Sequence, residues 1–75
     1  MQTLSDMIDD AVRETVSAHA DLAEGTRTAR PKAWGALAAR GVVALKERLG
    51  RSPSEAERRA LWAALWRAAH RRPAP

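Results

Sequence analysis

The chain has 75 residues, no cysteine and a formal charge of +4, with eleven Arg but only two Lys among its thirteen bases. That size excludes more than one domain, and the missing thiols exclude disulfides and thiolate zinc sites. The charge is split along the chain. Residues 1–24 hold six acids against Arg13 alone, and residues 25–75 hold twelve bases against Glu47, Glu55 and Glu57.

No uncharged run approaches the ~20 residues of a membrane span. The start is acidic, unlike the basic start and apolar stretch of a signal peptide. A cytoplasmic protein that binds no membrane is expected.

The first helix is predicted over about 4–24. Leu4, Met7, Ile8, Ala11, Val12, Val16, Ala18 and Leu22 share one side at the helical period. Asp6, Asp9, Asp10, Arg13, Glu14 and Asp21 share the other. Thr3 or Ser5 caps the start, and the early acids complement the helix dipole. Gly25 is expected to close the helix in a left-handed conformation. Asp6, Asp9 and Asp10 are close enough in spacing to attract a divalent cation. Serving the helix start or pairing with arginine is the simpler role. His19 falls on the apolar side as a partly buried residue rather than a metal ligand or base.

Residues 25–30 read as a polar, basic linker. A second helix is predicted over about 31–49, with Pro31 in its first turn. Trp34, Leu37, Ala38, Gly41, Val42, Leu45 and Leu49 line its apolar stripe. Gly41 lies within that stripe, which points to close approach by another helix. Gly35 lies at its edge, and the sequence offers no reason for it. Gly50 is the expected C-terminal cap.

A third helix is predicted over about 53–70, capped by Ser52, with Pro53 in first position and Glu55 reaching back. Leu61, Trp62, Leu65 and Trp66 form its bulky face, and Arg58 projects toward the middle of that face. Residues 71–75 form a basic, proline-containing tail. The resulting expectation is a single all-α domain, a small three-helix antiparallel bundle open to completion by dimerisation, since so small a core gains from a partner chain.

If the last two helices are antiparallel, their turn gathers Lys46, Arg48, Arg51, Arg58 and Arg59. The opposite end gathers Arg27, Arg30, Lys32, Arg67, Arg71 and Arg72. Arginine suits phosphate recognition, and free N–H groups at the start of the third helix add donors. The leading functional expectation is a small non-enzymatic regulator that binds DNA phosphates through Lys46, Arg48, Arg51, Arg58, Arg59 and Arg67. Against it, the early aspartates can fold back onto the same arginines.

Helix–turn–helix DNA readers favour a small residue before the turn glycine and a buried apolar residue after it. Lys46 and Arg59 hold those positions here, so the chain departs from that motif. The stretch Leu45-Lys46-Glu47-Arg48-Leu49-Gly50-Arg51-Ser52-Pro53-Ser54-Glu55-Ala56-Glu57 resembles the helix junction in the middle domain of bacterial sigma factors. The resemblance covers these thirteen residues, built from capping chemistry, and a sigma-like role is implied by this stretch alone.

The rival expectation is a helical protein–protein interaction module, an adaptor or inhibitor of a larger complex, anchored by Trp62 and Trp66 without nucleic acid. No catalytic set, glycine-rich phosphate loop or histidine beside a nucleophile is present. No enzyme activity, cofactor, metal or small-molecule substrate is expected.

Overall fold

A computed structural model describes residues 2–71, so Arg72 and the rest of the expected tail lie outside the described residues. The described chain is helical throughout, with four helices: α1 Leu4–Ala18, α2 Ala20–Arg27, α3 Ala33–Leu49 and α4 Glu55–Ala69. The all-α expectation holds, but four helices replace three.

The difference lies at His19. Its φ of −129° and ψ of 52° break the first predicted helix in two. The His19 N–H donates to the Thr15 carbonyl, and its own carbonyl accepts from Leu22 and Ala23. The residue therefore ends one helix and starts the next. Buried Thr15 sits just before the break and donates its hydroxyl to the Ala11 carbonyl at 2.7 Å, a bond that favours helix bending. The change of direction lets α2 bury Ala23, Gly25 and Thr26.

The cap expected at Gly25 falls four residues later. The Arg30 N–H donates to the Gly25 carbonyl and the Ala29 N–H to Thr26. This is the paired bonding of a Schellman motif, with Ala29 in the left-handed position at φ 59°. Gly25 serves close approach instead. A Cβ there would lie 2.5 Å from the Arg30 guanidinium and 2.9 Å from the Ala33 Cβ. Arg30 folds back across it to donate to the Asp21 carbonyl at 2.7 Å.

Pro31 precedes α3 rather than opening it, because Lys32 is the N-cap, at a left-handed φ of 68°. The C-terminal end of α3 matches expectation, with Gly50 at φ 71° donating to the Lys46 carbonyl. The start of α4 shifts by two residues. Ser54, not Ser52, is the cap, and Glu57, not Glu55, completes the capping box.

Leu37, Leu45, Leu61 and Leu65 are fully enclosed at the centre, with Ile8, Ala11 and Val12 from α1 and Ala23 from α2. Fully burying a leucine side chain contributes roughly 1.5–3 kcal/mol before entropy is counted. α3 and α4 run antiparallel, since Trp34 at the start of α3 meets Trp66 near the end of α4. Gly41 lies between Leu61 and Leu65, with room for no Cβ beside Leu65 (2.9 Å). This is the close approach its place in the stripe implied. No atom lies within 4 Å of a Cβ built at Gly35.

Candidate interaction surface

The turn between α3 and α4 concentrates bases, as expected, but much of their charge is already matched. Arg51 grips Glu57 through two hydrogen bonds of 2.8 Å. Arg59 donates to Glu55 at 2.6 Å, one helical turn earlier. Arg48 reaches across to Glu14 of α1 at 2.5 Å. Of the six residues predicted to hold phosphates, Lys46, Arg58 and Arg67 make no ion pair with a described residue. Arg58 is half-buried and donates to the Pro53 carbonyl at 3.1 Å.

The start of α4 is not the open set of donors that the sequence implied. The Ser54 N–H donates to Glu57 at 2.7 Å, and the Glu57 N–H donates to the Ser54 hydroxyl. Hydrogen bonds from Arg51 and from the Ser54 backbone pull the Glu57 carboxyl from 4.5 down to about 2. An ionised carboxylate, with Glu55 also in the first turn, thus sets negative charge at this helix start.

The early aspartates make no ion pair with the arginines of this pole among the described residues, although the charge of Arg48 acts on Asp10. Asp10 pairs with Arg13 and accepts from Gln2. These two hydrogen bonds, Gln2's first, hold its carboxyl below the ordinary value. Asp6 and Asp9 make no ion pair among the described residues. The excess acid stays on α1 and the excess base on the hairpin of α3 and α4. No group of three or more metal-ligating side chains comes together among the described residues.

The aromatic side of the hairpin is more open. Trp34 meets Trp66 edge to face, with ring centroids 5.1 Å apart and planes at 88°. His70 lies against Trp66 at 4.1 Å and sets a ring nitrogen 2.8 Å from the Trp66 carbonyl. Trp66 is nevertheless 47% exposed. Trp62 is half-buried, and its indole N–H is enclosed without an acceptor. Both tryptophans named from sequence therefore fall on one side of the hairpin.

Sequence reasoning missed Trp34 and His70 as members of this cluster. Antiparallel pairing carries the signal for Trp34, because it sets the start of α3 beside the end of α4. For His70 the signal is its spacing one turn after Trp66.

Along α3, Trp34, Ala38, Val42 and Leu49 form one half-buried edge at helical spacing. The opposite edges of the hairpin are covered. Arg48 faces α1, and Ala33 lies against Gly25 of α2. On α4, Ala60, Ala64 and Arg67 border a groove of about 320 Å³ with Leu4, Ser5, Ile8 and Asp9. No helix of the described residues is long and apolar enough to cross a membrane. Comparisons with protein-family models, with curated proteins and with solved structures give no match for this chain.

Proposed function

We propose that this protein is a helical protein–protein interaction module whose contact surface centres on Trp66. The observation that supports this reading is a large aromatic side chain, 47% exposed, held in place by Trp34 and His70. A pre-positioned indole loses little freedom on binding, which is what an interface anchor needs. In this reading the module is an adaptor or inhibitor of a larger complex, acting in the cytoplasm, whereas the regulator role belongs to the DNA-binding reading.

The DNA-binding reading has narrower support. Lys46, Arg58 and Arg67 make no ion pair among the described residues, but Arg48, Arg51 and Arg59 are engaged within the molecule. Two indole contacts with neighbouring rings also leave Trp66 a poor platform for an unpaired base.

A photo-crosslinking amino acid at exposed position 63, one turn before Trp66, in cells that express the chain, tests the choice. A discrete protein adduct that disappears on Trp34→Ser is the expected result. Titration with duplex DNA, single-stranded DNA and RNA over a salt series is the counter-test. Tight binding that weakens steeply with salt, through counterion release, together with a nuclease-sensitive adduct, would overturn the interaction reading in favour of nucleic acid.

A further inference from the structure

We propose that His19 is a hinge through which two copies of the chain exchange α1, giving a domain-swapped homodimer. The exchange is independent of the Trp66 surface. The joint between α1 and α2 is one residue long, and neither proline nor glycine stands at it.

The amphipathic pattern runs straight through this joint. On one continuous helix from Leu4 to Arg27, the buried Ile8, Ala11, Val12 and Thr15 of α1 and Ala23 and Thr26 of α2 fall within about a third of the circumference. Half-buried His19 falls in the same arc, and the acids of the segment all fall outside it. The two helices therefore carry the single stripe of one longer helix. Backbone bonding favours the same straight form. In the bent chain Leu22 and Ala23 both donate to the His19 carbonyl, and α2 begins with no side-chain cap. In a continuous helix the N–H groups of Ala20, Asp21 and Leu22 reach the carbonyls of Val16, Ser17 and Ala18, four residues back.

The bend is what lets α1 and α2 pack on the same α3. A straight helix carries α1 away from its own hairpin and bares the side of Leu61 and Leu65 that α1 covers. The segment that fits the vacancy is the α1 of a second copy. Its Ile8, Ala11 and Val12 meet the same core, and its Glu14 meets the same Arg48. Each copy gives one α1 and receives one, as a two-fold contact requires. Swapped and unswapped forms thus share the α1 contacts and differ at the hinge and in their dependence on concentration.

Sedimentation of the full chain over a concentration series tests the exchange. A dimer whose share grows with concentration is expected, with slow interconversion because α1 must first detach. His19→Ala favours the straight helix and should tighten dimerisation by about five- to tenfold, since each dimer straightens two hinges. Ala20→Pro suits the first position of α2 but blocks a continuous helix, so it should leave a helical monomer. In a mixture of isotope-labelled and unlabelled chains, filtered NOEs should join Ile8 of one chain to Ala64 of the other, residues that border one groove.

A monomer at every concentration, with His19→Ala included, overturns the exchange. So does a dimer in which Ile8 meets Ala64 only within a chain, or a dimer that survives Ala20→Pro. If Ala20→Pro does not fold, the NOE result on the parent chain decides alone. The crosslink at position 63 reads the Trp66 surface separately in every case.

Discussion

Ala29 stands where a glycine is the ordinary choice. Its left-handed φ of 59° closes α2, and the carbonyls of Gly25 and Thr26 receive the N–H groups that follow. An L-residue with a Cβ loses roughly 1–2 kcal/mol in that conformation. Ala29→Gly relieves the clash but adds freedom to the unfolded chain, which costs about 0.4–1 kcal/mol. The expected net gain is about 0.5–1 kcal/mol, read as a higher urea midpoint with an unchanged m-value. With an alanine in the cap position, residue types alone point to the wrong place. Gly25 has the residue type for a cap, yet its position demands a missing side chain because the Ala33 Cβ stands 2.9 Å from where its own would be.

At the scale of elements, α4 owes its start to Ser54, Glu57 and Arg51 acting together. The Glu57 carboxyl has a lower pKa folded than unfolded, so its stabilising effect is full above the ordinary value of 4.5. It fades as pH falls toward about 2. Glu57→Gln should therefore reduce stability at neutral pH, with a difference from the parent chain that shrinks between about pH 4.5 and 2. Thermal melts of both proteins across that range check the sign. The existence of a helix over most of each predicted span was legible, because apolar spacing decides which face is buried. The α3 stripe and the Gly50 cap were readable for that reason. The break at His19 was not, since neither proline nor glycine stands there and the turn follows from how α2 closes over α3. The α4 cap was off by two residues because Ser52 and Ser54 both precede acids at capping distance. Of the candidate site, Trp62 and Trp66 were legible from type and spacing. The neutralised state of Arg48, Arg51 and Arg59 was not, because it depends on rotamers and on a contact with α1.

In the whole molecule, each helix touches the other three. Even the short α2 places Ala23 in the same core as Leu37 and Leu65. A helix of eight residues has little stability alone, so α2 should form and melt with the rest. Far-ultraviolet dichroism and tryptophan fluorescence are expected to give coincident unfolding curves. The associated heat-capacity change is about 1 kcal/mol/K for a chain of this length. An early loss of fluorescence ahead of helicity would mean that the hairpin seam opens as a separate unit.

The perpendicular arrangement of Trp34 and Trp66 has an optical consequence. Two indoles 5.1 Å apart in a fixed chiral orientation couple their excited states. The native protein should therefore display an exciton couplet that neither ring produces singly. That couplet makes the ends of α3 and α4 a built-in, label-free gauge of their separation.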